Sequence, residues 1–214
     1  MIVIWGGATS RTLRAHWMAQ ELDLDYQPRL IGSRTGETQS AEFRLLNPKE
    51  KIPVLVDGDL VLTESVAIVT YLGDHYGSQA GLVPAWKTVE RAKYNEWMSF
   101  IQMELDAHTL YIIRKHRDLK NLYGDAPAAI DTAITGFNKQ VQVAADLLST
   151  QPYLLGDTFS AADLVLMTCL DWAHAYGIEL AGSLLSLQEY RARIAPREAY
   201  QRAMNLNFSI SAGA

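Results

Sequence analysis

The chain has 214 residues, 49% of them apolar and 20% charged, with a formal net charge of -5, enough for one large domain or two small ones around a true core. The acidic balance and the lack of a long Lys/Arg run argue against nucleic acid or an anionic membrane as a partner; no apolar run approaches a bilayer-spanning length, and the opening MIVIWGGATS lacks the basic start of a secretory leader. The single cysteine, Cys169 in the apolar run LVLMTCLDWA, cannot form an internal disulfide and fits a reducing cytoplasm.

In chain order, IVIW at 2–5 predicts a strand, and SRTLRAHWMAQEL at 10–22 predicts a helix, with Leu13, Trp17, Met18 and Leu22 at helical spacing. DYQPRLI at 25–31 reads as a second strand in which Pro28 marks an edge or irregular position. A short helix over 38–46 ends at Asn47–Pro48. PVLVDGDLVLT reads as a hairpin turning around Asp57–Gly58, and a third helix follows from Glu64 to about His75. YGSQAGLVPAW carries the glycine and proline of a linker, placed at 78–85. Beyond it the strand signals stop, and helices are predicted over 86–117, 126–149, 160–175, 183–193 and 196–205, broken at Gly124, Pro152, Gly156, Gly177 and Pro196. The expected fold class is α+β followed by all-α: a β-α-β-α-β-β-α domain over 1–77 and a helical-bundle domain over 86–214.

The stretch EKIPVLVDGDLVLTES (50–65) concentrates the chemistry. A proline has no N–H and suits the first residue of a strand. A cis bond at Ile52–Pro53 would leave the Ile52 backbone free to pair with an extended peptide. The hairpin then ends at Thr63-Glu64-Ser65, where a helix begins. Backbone N–H groups there, with a serine hydroxyl and a carboxylate, can hold both ends of a zwitterion. Ordinary capping by Thr63 or Ser65 is the plainer alternative.

Residues 47–72, NPKEKIPVLVDGDLVLTESVAIVTYL, resemble the glutathione-binding signature of glutathione S-transferases, and SRTLRAHWMAQELDLDYQ resembles that family's first helix and second strand. GDTFSAADLVL resembles its buried capping box, with Ser160 as N-cap, Asp163 at N3 and Phe159 packing on Leu164. The resemblance implies a thioredoxin-like first domain, a cytoplasmic homodimer, and glutathione as co-substrate with no metal. It further implies that Pro53 is a cis-proline, that Ile52 pairs with the cysteinyl part of glutathione, that Glu64 and Ser65 hold the γ-glutamyl end, and that Lys51 lies near the glycyl carboxylate.

The same resemblance puts the residue facing the glutathione sulfur in GGATSRT. A free thiol has a pKa near 8.5, and lowering it by two units requires about 2.7 kcal/mol of preferential thiolate stabilisation. Ser10 is the first candidate, Thr9 the second and Arg11 the third; Ser10 equally suits a plain helix cap. The loop holds no tyrosine and no cysteine, so mixed-disulfide chemistry is not expected. Met103, Tyr111 and Arg114 would border a pocket for a small hydrophobic electrophile, although their helical spacing also suits core or dimer interface. His16 and His75 lack metal-ligand spacing, WGGA lacks a dinucleotide-binding pattern, and Cys169 reads as buried and inert. The expected activity is thiol transfer to an electrophile. A glutathione-dependent peroxide or disulfide reductase and a non-catalytic glutathione-binding or scaffold module remain as alternatives.

Overall fold

A two-residue turn fixes the register of the hairpin that anchors the sheet. Strands β3 (Val54–Asp57) and β4 (Leu60–Thr63) pair antiparallel, with Asp57 opposite Leu60. The loop is therefore Gly58-Asp59, one residue later than the sequence suggests. Gly58 takes φ 58°, and a primed turn with glycine at its first central position matches the twist of paired strands. Around this hairpin a computed structural model describes residues 1–77, 79–180 and 182–210. Ser78 of the expected linker and residues 211–214 of the expected second domain lie outside them.

The contacts divide the chain into two compact units. The first comprises Met1–Val83 together with the chain from Ala195 onward. Its elements run β1 (Ile2–Trp5), α1 (Ser10–Glu21), β2 (Tyr26–Arg29), α2 (Ala41–Leu46), β3, β4 and α3 (Ser65–Tyr76), the thioredoxin-like order expected. The four-stranded sheet has the order β2-β1-β3-β4, with β2 parallel to β1 and the other pairs antiparallel. Strand β2 is an edge, which explains why Pro28 is tolerated within it. Helix α1 packs on α3, and the core gathers Ile4, Leu13, Trp17, Met18, Leu55, Ile68 and Leu72.

A last helix, Glu198–Asn207 (numbered α10 below in chain order), belongs to this unit and not to the helical one assigned to it from sequence. It packs along α1. Arg197, at its N-cap, grips Glu21 with two bonds of 2.8 and 2.7 Å, and Glu21 also accepts from the Trp17 indole at 2.8 Å. A planar guanidinium meeting a carboxylate through both oxygens is the strong form of such a pair.

The second unit, Pro84–Ile194, is helical. The predicted helix over 86–117 begins later, at α4 (Val89–Phe100), because the Thr88 hydroxyl caps it by accepting from the Arg91 N–H. It continues through a π-helical segment, Ile101–Leu110, into α5 (Tyr111–His116). A short turn, α6 (Lys120–Tyr123), was not foreseen. There follow α7 (Pro127–Leu148), α8 (Ala161–Ala175) and α9 (Leu185–Ile194). Helix α8 is apolar nearly all round and buried, with α4, α9 and the π segment against it. Its start is the expected box: Asp163 accepts from the Ser160 N–H at 2.8 Å and the Ser160 hydroxyl at 2.7 Å. The other Asp163 oxygen takes the Leu154 N–H at 2.8 Å and the Tyr190 hydroxyl at 3.0 Å. Burial pushes this carboxyl above its ordinary range, against the pull of those bonds. Phe159 meets the Tyr153 ring edge-on at 5.8 Å.

Among the described residues no helix is long and apolar enough to cross a membrane.

Candidate functional site

Three segments of the first unit meet at one end of the sheet, where Trp5 pairs with Val54 and Val54 with Thr63. Gly6 follows β1 so closely against the next segment that a Cβ on it would stand 2.7 Å from the Ile52 Cβ and 2.6 Å from the Thr12 Cγ2. Arg14, buried in α1, donates to the Ser65 hydroxyl at 3.3 Å. The loop before α1, the Ile52–Pro53 step and the start of α3 are thereby neighbours.

The Ile52–Pro53 peptide is cis, and β3 starts only at Val54, so the Ile52 backbone stands outside the sheet ladder. At α3 the capping expected from Thr63 or Ser65 is not present. Glu64 occupies the N-cap with φ 71° and ψ 113°, and no side chain caps the helix. The first intrahelical bond is Ile68 N–H to Glu64 C=O at 2.9 Å. The N–H groups of Ser65, Val66 and Ala67 thus have no intrahelical acceptor. A non-glycine residue at positive φ costs roughly 1–3 kcal/mol and persists only where its surroundings hold it. Here it joins β4, whose Thr63 pairs with Val54, to the start of α3.

Sequence reasoning overlooked two residues beside this start. Lys49 Nζ pairs with Glu64 Oε1 at 2.6 Å and donates to Thr63 Oγ1 at 2.9 Å. Glu64 is well exposed, at 60% of its side chain, so the pair is solvent-screened. Asn47, read from sequence only as the end of a helix, is buried. Its Nδ2 donates to the Lys51 carbonyl at 2.7 Å while its Oδ1 accepts the Lys49 N–H at 3.1 Å, which shapes the loop ahead of Ile52. The NPKEK run hinted at both, but the ion pair exists only once the hairpin brings Glu64 back. Lys51 itself is exposed.

The start of α1 separates the three thiol-facing candidates. Thr9 is the N-cap, which corrects the reading of Ser10 as a plain cap. Thr9 is buried, and its hydroxyl accepts from the Thr12 N–H at 3.1 Å and lies 2.9 Å from the Thr12 hydroxyl. Ser10 is the first helical residue and half-exposed, and its hydroxyl makes no hydrogen bond among the described residues. Arg11 follows, half-exposed. Within the first turn, a hydroxyl donor beside the positive end of a twelve-residue helix favours an anion.

In the second unit, Met103 lies on the π segment with 47% exposure, while Tyr111 and Arg114 sit one turn apart on α5, half-buried. The Lys115 ammonium stands 5.1 Å from the Tyr111 ring centre. A groove of about 570 Å³ between the π segment and α7 is lined by Glu104, His108, Ile112 and Gly136 among others, and holds none of the three. No group of three or more His, Cys, Asp or Glu side chains among the described residues could hold a metal ion. Cys169 is buried.

Comparison with known proteins bears on both units. Residues 2–74 match the family model "Glutathione S-transferase, N-terminal domain", and 100–198 match "Glutathione S-transferase, C-terminal domain". A theta class glutathione S-transferase from Xanthomonas axonopodis pv. citri, solved with glutathione bound, is 32% identical, with a TM-score of 0.80 over 95% of this chain and 96% of that one. Glutathione S-transferase GstA of Escherichia coli O157:H7 is 29% identical over 167 residues, 77% of each chain. The glutathione transferase URE2P6 of Phanerochaete chrysosporium, at 20% identity and a TM-score of 0.88, shares the fold over 98% of this chain and 97% of its own.

Proposed function

The chain belongs to the glutathione S-transferase family, and on that premise we propose that it is an enzyme joining the glutathione sulfur to a small hydrophobic electrophile, with Ser10 as the group that stabilises the thiolate. The observation that carries the site assignment is the uncapped start of α3 beside Ile52. Open amides of Ser65, Val66 and Ala67 suit the γ-glutamyl carboxylate, and the Ser65 hydroxyl, already accepting from Arg14, adds to them. Glu64 suits the ligand ammonium, the Ile52 backbone beside Pro53 suits the cysteinyl peptide group, and Lys51 the glycyl carboxylate. Because Glu64 is exposed and shared with Lys49, its replacement by Gln should weaken glutathione by only about 0.5–1 kcal/mol, less than a buried charge-assisted bond would lose.

Ser10 is preferred because its hydroxyl is uncommitted among the described residues while that of Thr9 is bonded within the Thr12 network. A thiolate accepting from Ser10 lowers the pKa of the bound thiol, and the sulfur then attacks the electrophile while the leaving group departs with the displaced electron pair. Met103, Tyr111 and Arg114 are proposed to border that electrophile, each presenting exposed or half-exposed surface. The reaction is placed in the cytoplasm, where a lone buried cysteine is at home.

The test is to titrate the ultraviolet thiolate absorbance of bound glutathione and to follow turnover of a chloro-nitrobenzene. Ser10→Ala should raise the thiol pKa by about one unit or more, since a hydrogen bond to a charged group contributes roughly 1.5–3 kcal/mol. An unshifted titration in Ser10→Ala would move the role to Arg11 or to backbone groups of α1.

A further inference from the structure

The loop before α1 and the first turn that carries Ser10 are held from the far end of the chain. Asn207, the last residue of α10, is fully buried and makes three hydrogen bonds to them. Its carbonyl accepts the Ala8 N–H at 2.7 Å, its Nδ2 donates to the Thr9 carbonyl at 3.1 Å, and its Oδ1 accepts from the Thr12 hydroxyl at 2.7 Å. Ala8 sits at φ 57°, a conformation a non-glycine residue keeps only when held. Gly7 lies close against the end of α10: a Cβ there would lie 2.9 Å from the Ile210 Cδ1 and 3.3 Å from the Asn207 carbonyl.

Proton counting gives these bonds a direction. The Thr12 hydroxyl has one proton and three acceptors in reach, Asn207 Oδ1 at 2.7 Å, the Thr9 carbonyl at 2.9 Å and the Thr9 hydroxyl at 2.9 Å, the last already accepting from the Thr12 N–H. The Thr9 carbonyl already accepts from Leu13 N–H and Asn207 Nδ2, whereas Asn207 Oδ1 has Thr12 alone among the described residues. The proton therefore goes to Asn207. Thr12 is left to accept from the Thr9 hydroxyl, which itself accepts from the Thr12 N–H. The result is a chain running Thr9 to Thr12 to Asn207, and it turns the Thr9 hydroxyl proton away from solvent. Asn207 lies outside both stretches that match the family models, 2–74 and 100–198.

We propose that Asn207 is a positioning residue of the reaction: through Thr12 it commits the Thr9 hydroxyl inward and fixes the loop so that Ser10 is the hydroxyl presented to the sulfur. This rests on the reading that the first unit binds glutathione and lowers its thiol pKa.

The experiment measures glutathione affinity, bound-thiol pKa and kcat for the full chain, Asn207→Ala, Thr12→Val and Thr12→Ser. Asn207→Ala and Thr12→Val should each raise the thiol pKa and lower kcat by roughly ten- to a hundredfold, the upper figure being what a misplacement of about 1 Å can cost. Glutathione affinity should stay within about twofold, because Ile52, Glu64 and Ser65 are untouched. Thr12→Ser, which keeps the hydroxyl, should titrate as the unaltered protein does. Unchanged pKa and kcat in both folded variants would overturn the role of Asn207 while leaving the functional reading intact. So would a loss of affinity that parallels the loss of kcat, the mark of a merely structural contact. If Asn207→Ala does not fold, the Val and Ser replacements of Thr12 decide the matter. Should the unaltered protein fail to bind glutathione or to lower its thiol pKa, the functional reading falls and this inference with it.

Discussion

At the scale of single residues, His16 shows what a polar group at an apolar interface demands. It is fully buried between α1 and the sheet, with Nε2 2.9 Å from the Gly6 carbonyl and Nδ1 3.1 Å from the Tyr26 hydroxyl. A carbonyl only accepts, so Nε2 carries the proton and Nδ1 accepts from Tyr26. Burial lowers the His16 pKa below its ordinary 6.5, opposed by the Gly6 bond. The unfolded chain therefore takes up a proton near pH 6.5 that the folded one refuses. Stability from this group is fully present above that pH and is lost as pH falls from 6.5 toward the lower folded value, with a slope of at most about 1.4 kcal/mol per pH unit for one proton. Urea denaturation across pH 4–8 should show that slope in the natural protein and a flatter one in His16→Gln; equal slopes would contradict it. The histidine was legible in sequence only as a residue without metal-ligand spacing. Its partners, like the choice between Thr9 and Ser10, depend on chain segments that come together only in the fold, in the second case Asn207, 195 residues from Thr12.

At the scale of elements, Gly73 sets how closely α3 approaches its neighbours. A Cβ there would lie 2.3 Å from Val83 Cγ2 and 2.8 Å from Met18 Cε. Alanine gains about 1 kcal/mol of helix propensity over glycine, yet overpacking a filled core costs about 1–3 kcal/mol. Met18 is fully buried and Val83 branches at Cβ, so neither retreats freely and the steric cost wins. Gly73→Ala should lower the unfolding free energy by roughly 1–2 kcal/mol, read by thermal or urea denaturation, and a stabilised variant would refute the close approach. Elements with local punctuation were legible: the hairpin through its Asp-Gly, α8 through Ser160 and Asp163, α7 through the break at Gly124 before it. The π segment was not, because an apolar stripe of period 3.6 blurs into one of slightly longer period over ten residues. The turn at Lys120–Tyr123 is too short for any periodicity to register.

At the scale of the molecule, the homodimer that the family resemblance implies is open to test. Leu60, Val61 and Tyr76 in the first unit are 37%, 42% and 37% exposed, and Val89, Met103 and Val143 in the second 74%, 47% and 52%. Single exposed apolar residues are ordinary, so the expectation that the first unit of one chain meets the helical unit of another rests on the family resemblance. Sedimentation at micromolar concentration should give about twice the 23.8 kDa chain mass, and a clean single-chain mass would rule the dimer out. The division of the chain was only partly legible from sequence. A linker near residue 80 announces itself by glycine and proline, whereas α10 carries no local mark of the unit it joins, since its allegiance lies in Arg197 reaching Glu21 and Asn207 reaching Thr9 and Thr12.

That discontinuity matters on the ribosome. The first unit has most of its sequence in hand by Val83, but the helix that covers α1 ends at Asn207, 124 residues later (207 minus 83). At ordinary translation speeds this is a wait of roughly 6–25 seconds. Through most of it the indole of Trp17 lacks the Tyr200 ring that stands 4.7 Å away in the finished fold, and Glu21 lacks Arg197. A nascent chain halted before Glu198–Asn207 would hold a sheet and an anchor loop without the helix that fixes the proposed hydroxyl beside them, so that the proposed chemistry waits for that helix to be made.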